Sequence, residues 1–221
     1  MKVFHFTKQV HALDDIRRRR IKIATLDDLN DPFEFFSIDL SDKALRRQFH
    51  FLAATLNLSK GLICFSRRWD NPVQWSHYAE AHRGICLEFE VPDSVLLQVS
   101  YKRKRLVAEA EKLLATGVLD PELIERFLAT KYSHWRYEHE WRHFVSLPEP
   151  DPENGLYFAP FSDQLRLRGV IVGALSSASR SDVREVLGEL ATSVRAFKAR
   201  LAFRSFRVVK QRNASLWREG S

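Results

Sequence analysis

GLICFSRRWDNPVQWSHYAEAHRGICLEFEV, residues 61–91, decides the fold. Gly61 to Ser66 are apolar and too few for a helix, so they read as a short buried strand. Asn71 can cap a helix and Pro72 suits a first helical turn, which predicts a helix over 72–81. Gly84 ends that segment, and residues 85–91 alternate as a second strand.

The same reading extends outward. Val3 to Phe6 read as a strand, 11–19 as a short helix ending in four arginines, and 21–24 as another strand. Cations suit a helix C-terminus. A helix is expected over 42–56 with Ser41 as its cap, and two more over 102–115 and 121–132, the second capped by Asp120. Residues 140–147 and 170–173 read as strands, 148–155 as a Pro-rich turn and 181–190 as a helix. Phe197, Ala199, Leu201 and Phe203 alternate with Lys198, Arg200 and Arg204, and 206–209 is expected to continue that strand after a register change. No repeat and no regular βαβ alternation occurs. The expected class is α+β: a single domain, residues 1–221, with a bent, mixed or antiparallel sheet and flanking helices.

Composition narrows the classes. Of 221 residues, 45% are apolar and 12% aromatic, enough for a sizeable core. No apolar run is long enough to span a bilayer, and residues 1–7 lack the pattern of a signal peptide. Cys64 and Cys86 both lie in apolar strands, so a disulfide framework or zinc site is not expected. These features together predict a cytoplasmic protein with no membrane partner. The net charge of +7 is unevenly placed. Residues 166–212 hold eleven Lys and Arg against three Asp and Glu, while the rest is close to neutral. Such a basic portion either forms solvated outer faces or meets an anionic partner such as nucleic acid.

Four clusters carry polar groups beside aromatic ones: His5-Phe6-Thr7, Asn30-Asp31-Pro32-Phe33-Glu34, the run from Trp75 and Tyr78 through Ala79 to His82, and Glu138-His139-Glu140-Trp141-Arg142. Trp75, Tyr78, Ala79 and His82 fall at helical spacings of three and four, on one face that serves either as core or as a stacking platform. Glu138 and Glu140 would share a strand face, each raising the other's pKa unless Arg142 compensates. That is either an ion-paired strand end or a carboxylate site for a sugar hydroxyl or a developing cation. His5 and Thr7 share a strand face, where a buried imidazole can hold ribose hydroxyls. Asn30, Asp31 and Glu34 can bond the backbone of a turn or touch a ligand. The remaining histidines do not match metal-ligand spacing, and no metal is expected. No phosphate-loop, Rossmann, hydrolase-elbow or metalloprotease motif occurs.

The order and wording of these motifs, together with Cys64-Phe65-Ser66, Asn71-Pro72 and His82-Arg83-Gly84-Ile85-Cys86, resemble the mostly bacterial domain-of-unknown-function 2971 family over nearly the whole chain. More distantly, a strand-borne His-x-Thr, a central aromatic helix and a late strand-borne Glu look like the ADP-ribosyltransferase fold. That resemblance implies NAD as substrate. His5, supported by Thr7, would bind the adenosine-side ribose. Tyr78 or Trp75 would stack on nicotinamide, with Asn30, His82 and Arg142 around the cofactor. Glu140 would be the catalytic carboxylate and Glu138 would position an acceptor. Phe65-Ser66 is the nearest match to that fold's Ser-Thr-Ser element.

The leading expectation is an NAD-consuming mono-ADP-ribosyltransferase, of the toxin or phage-defence kind, with nucleic acid or protein as acceptor and an antitoxin as a further partner. The alternative is a non-enzymatic nucleic-acid-binding module, with Arg166, Arg168, Arg180, Arg184, Lys198, Arg200 and Arg204 on phosphates. A third is a metal-dependent hydrolase or nuclease using Glu138, Glu140 and His82.

Overall fold

The apolar alternation of the chain becomes one large sheet in a computed structural model, which describes residues 1–34, 36–118 and 120–220. Among the described residues twelve strands are formed: β1 (Lys2–Thr7), β2 (Arg20–Ile23), β3 (Lys60–Ser66), β4 (Ile85–Glu90), β5 (Leu97–Gln98), β6 (Ser100–Lys102), β7 (Thr130–Tyr132), β8 (Glu140–Ser146), β9 (Tyr157–Pro160), β10 (Arg166–Val172), β11 (Arg195–Leu201) and β12 (Val208–Lys210). Six α-helices accompany them among the described residues: α1 (Gln9–Arg17), α2 (Lys43–Ser59), α3 (Pro72–Tyr78), α4 (Val107–Thr116), α5 (Pro121–Leu128) and α6 (Arg180–Leu187). The large sheet has eight strands in the order β12-β11-β10-β4-β1-β3-β8-β5. Its one parallel pair is β10 with β11, bridged by α6; the other neighbours are antiparallel. The mixed α+β class is as expected. Two small ribbons, β2 with β9 and β6 with β7, stand apart from it.

Adjacent side chains of the central strands leave opposite faces, and both faces are covered. Leu87, Phe89, Val170 and Val172 pack with Ala12 and Ile16 of α1 and Val183, Val186 and Leu187 of α6. Phe4, Cys86 and Ile171 pack the other way, with Trp75 and Ala79. A strand buried on both sides reads as a continuous apolar run, which is how 61–66 and 170–173 look. A third cluster, Ile38, Leu45, Phe49, Leu113, Leu123 and Phe127, joins α2, α4 and α5.

Several expectations are corrected. Asp42, not Ser41, caps α2, accepting from the Leu45 amide at 2.8 Å. The helix expected over 72–81 stops at Tyr78, because Glu80, Ala81 and His82 have φ of 50°, 50° and 68°. That left-handed turn folds the chain back so that the His82 amide reaches the Trp75 carbonyl at 3.1 Å. Gly84 is required at its end: a Cβ there would stand 2.3 Å from the Thr7 carbonyl oxygen. Residues 102–115 and 121–132 are only partly helical. The Ser100 amide bonds the Ala129 carbonyl, and β6 and β7 pair in parallel, so tertiary pairing overrides the helical pattern at both ends. Residues 206–209 do not continue β11. The chain reverses, and β12 returns antiparallel, leaving Phe203 and Phe206 92% and 99% exposed in the turn.

Candidate functional site

Asn30, Tyr78 and the neighbouring Lys131, Glu138 and Glu140 come from three distant parts of the chain and meet in one hydrogen-bonded chain. The loop before Phe33 brings Asn30, whose amide nitrogen donates to the Tyr78 hydroxyl at 2.9 Å. Asn71 caps α3 and so sets the helix that carries Tyr78, its side chain accepting from the Val73 amide at 2.9 Å. The phenol donates to Glu138 Oε1. Glu138 Oε2 accepts from Lys131 Nζ at 2.8 Å, and the same ammonium reaches Glu140 Oε2 at 3.2 Å. Glu140 also accepts from Arg142 Nε at 2.8 Å, and Arg142 continues to Glu34 Oε1 and to the Leu128 carbonyl. Three carboxylates thus surround two cations in a region nearly closed to solvent.

The two glutamates do not share a strand face, as their spacing suggests. Glu138 closes a 3-10 turn, Ser133–Glu138, and His139 is left-handed at φ 46° before Glu140 opens β8. The carboxyls converge because Lys131 draws both. Their environments differ. Burial would raise Glu140, but Arg142 and Lys131 outweigh it and hold the carboxyl down at about 2. Burial raises Glu138, and the Glu140 charge adds to that, with Lys131 opposing. Two carboxyls pushed apart in this way can divide the work of a charged stabiliser and a proton acceptor. Burial, and then the Glu138 charge, also raise the Tyr78 phenol, which stays protonated and donates.

These groups line a cleft of about 460 Å³, together with His5, Phe4, Phe6, Ser66, Gln74 and His77. That size lies within the roughly 300–1,000 Å³ of small-molecule sites. His5 Nδ1 bonds the Cys64 carbonyl at 3.0 Å. Burial lowers the His5 pKa, so the neutral ring donates from Nδ1 and keeps Nε2 as an acceptor. Ser66 and Gln74 both donate to the Glu138 carbonyl, at 2.6 and 3.0 Å, and fix the backbone that carries the carboxylate.

Other expected site residues lie elsewhere. Trp75 is fully buried in the core, its indole donating to the Trp69 carbonyl at 2.6 Å, so no ring can stack on it from the cleft. His82 stacks on Trp75 with ring centroids 6.2 Å apart and does not line the cleft. Thr7 ends β1 opposite Ile85, also outside the lining. Arg142 is 0% exposed and acts behind Glu140, not on a ligand. Among the described residues no group of three His, Cys, Asp or Glu is arranged to hold a metal ion. No helix among them is long and apolar enough to cross a membrane.

The basic C-terminal residues lie at the other end of the sheet. Four strands separate β11 from β8, or about 24 Å at the usual strand spacing. Several are already engaged: Arg166 with Asp163 at 2.6 Å, Arg168 with Glu90 at 2.6 Å, Arg180 with Glu219 at 3.1 Å. Lys198 donates to the Gly173 and Ser176 carbonyls, and Arg200 lies over the Phe203 ring at 4.5 Å. Arg184 and Arg204 are exposed.

Residues 74–143 match the model of the family described as Protein of unknown function (DUF2971). The match supports, over that segment, the resemblance to that family read from the motifs. The matched segment begins in α3 and ends in β8, so it contains Tyr78, Lys131, Glu138, Glu140 and Arg142 but not His5 or Asn30. No curated protein and no solved structure matches the chain. Lys131 is the member of the charge network that sequence reasoning left out of the site, and Glu34, read as a turn residue or ligand contact, instead pairs with buried Arg142. Lys131 was hidden inside an expected helix, and nothing local distinguishes a buried lysine from a solvated one.

Proposed function

We propose that this cleft binds NAD and transfers its ADP-ribosyl group to an acceptor. The observation that carries the reading is the meeting of His5, Tyr78, Glu138 and Glu140, from three distant parts of the chain, in one cleft of nucleotide-site size. The donor set suits the ligand. The free Nε2 of a neutral His5 accepts from a ribose hydroxyl, and Tyr78 supplies a ring on the wall.

The reaction breaks the bond between the ribose C1′ and the nicotinamide nitrogen. The bonding pair leaves with the ring, which departs as neutral nicotinamide. The sugar passes through an oxocarbenium-like state, which the permanently charged Glu140 carboxylate stabilises. The acceptor's lone pair then forms the new bond to C1′, and its proton passes to Glu138, whose raised pKa suits a proton acceptor.

The test is NAD binding by calorimetry and nicotinamide release by purified protein, with RNA, DNA or lysate protein as acceptor. Glu140→Gln should lower turnover about 10²–10³-fold. Because Glu140 also pairs with buried Arg142, Glu138→Gln is the cleaner probe of chemistry and should lower turnover with less effect on stability. A folded wild-type protein that neither binds NAD nor releases nicotinamide with any of these acceptors would end this reading.

A further inference from the structure

Lys102-Arg103-Lys104-Arg105 is an uninterrupted run of four cations, and all four side chains are exposed. None of them lies within ion-pair distance of a carboxylate among the described residues, in contrast to Arg166, Arg168 and Arg180, although the Arg105 guanidinium donates to the Ile38 carbonyl at 3.4 Å. The run borders a concavity of about 460 Å³ whose wall also holds Phe33, Phe36, Lys131 and Tyr132. Phe33 and Tyr132 are 57% and 45% exposed. The Arg105 guanidinium stands 5.4 Å from the Phe33 ring, and the His134 ring stacks on Tyr132 at 4.6 Å.

This concavity and the carboxylate cleft share a wall. Lys131 lines both. The β6–β7 ribbon explains how. Tyr101 is paired with Lys131, and Lys102 with Tyr132. The first pair faces the carboxylates: the Tyr101 hydroxyl accepts from the Glu140 amide at 2.8 Å, and Lys131 holds Glu138 and Glu140. The second pair, one residue on, emerges on the basic surface, as strand alternation requires.

We infer that this concavity is the docking site of a single-stranded nucleic acid, which it presents to the adjoining cleft. Unpaired cations meet the phosphates, and exposed aromatic rings accept unstacked bases. That combination marks single-strand sites and is poorly matched to a duplex, whose bases are already stacked. A nucleic-acid strand is one of the acceptors of the transferase reading, so the inference rests on that reading for what becomes of the bound strand. Docking itself needs no NAD, so the two can fail separately.

The test is fluorescence anisotropy of labelled ten-nucleotide single-stranded RNA and DNA, without NAD, across a salt series. Either strand should bind at low salt, with affinity falling as salt rises. The Arg103→Glu/Lys104→Glu variant should bind at least about tenfold more weakly and show a salt slope shallower by about 1–1.5. Tyr132→Ala should weaken binding by roughly tenfold with the slope unchanged. All four side chains of the run are exposed, so these proteins should melt like wild type. Three results would overturn the inference: no binding by wild type, affinity unchanged in Arg103→Glu/Lys104→Glu, or a duplex bound as tightly as a single strand. A loss seen only in Arg200→Glu/Arg204→Glu would also overturn it, by moving the strand to the far edge of the sheet.

Discussion

Arg142 is bonded to Glu34, 108 positions earlier in the chain, and both side chains are buried. The pair ties the loop that carries Asn30 to the strand that carries Glu140. Removing one member leaves the other charge buried without its partner. Arg142→Ala should therefore cost about 3–5 kcal/mol, read as a lower urea midpoint at constant slope. Arg142→Lys should rescue only part of this, because one ammonium cannot serve Glu34, Glu140 and the Leu128 carbonyl in the geometry of the guanidinium fork. An unchanged midpoint in Arg142→Ala would contradict the network.

The Tyr78→Phe variant keeps the ring and deletes the hydroxyl that donates to Glu138. That hydrogen bond favours the charged carboxylate, so its loss should raise the Glu138 pKa further. If Glu138 accepts the acceptor's proton, the acid limb of the rate profile should move to higher pH in Tyr78→Phe. A limb that stays in place would assign the proton to another group.

Acid should loosen the fold through Glu140. Its carboxyl is held at about 2 in the folded protein by Arg142 and Lys131, acting against burial. A folded-state pKa below the unfolded value stabilises above the unfolded value and is lost as pH falls through the folded one. Glu140 should accordingly contribute about 3 kcal/mol near neutrality, lost between roughly pH 5 and pH 2. Urea titrations at steps through that window check it, and equal stability at both ends would refute it.

Asp15 works in the opposite sense. Burial in α1, reinforced by the neighbouring Asp14 charge and opposed by Arg20, raises its carboxyl to about 7. The folded state then holds a proton that the unfolded chain releases near pH 4, so stability falls as pH rises from about 4 to about 7. Asp15→Asn removes that loss. It should stabilise the protein by up to about 4 kcal/mol at pH 8 and leave stability at pH 3.5 almost unchanged. A thermal melt at the two pH values separates this from a general packing effect.

What could be read from the sequence followed the range over which each feature is determined. Strand 61–66 was legible because burial on both faces leaves a plain apolar run, and 85–91 because Ile85, Leu87, Phe89 and Val91 recur at every second position. The caps Asn71 and Asp120 were legible because capping is local. The cleft was half legible: His5, Asn30, Tyr78, Glu138 and Glu140 do assemble. Trp75 and His82 looked equivalent to Tyr78 at helical spacing, but Trp75 faces the core and the left-handed turn at 80–82 folds His82 back onto it. The β6–β7 ribbon was not legible, since residues 102–115 and 121–132 carry helical patterns that the Ser100–Ala129 contact interrupts. With that ribbon went Lys131, the cation on which the carboxylates converge.

The β6–β7 pairing also decides which changes of chain length the protein can survive. An added residue between Ala129 and Lys131 would exchange the two sides of β7, turning the ammonium to the outer surface and aiming the Tyr132 phenol at two buried carboxylates. The fault would lie in frame and not in composition. Relatives of this chain should therefore vary freely in length at the exposed turn of residues 148–155 and keep a fixed count from Ala129 to Lys131.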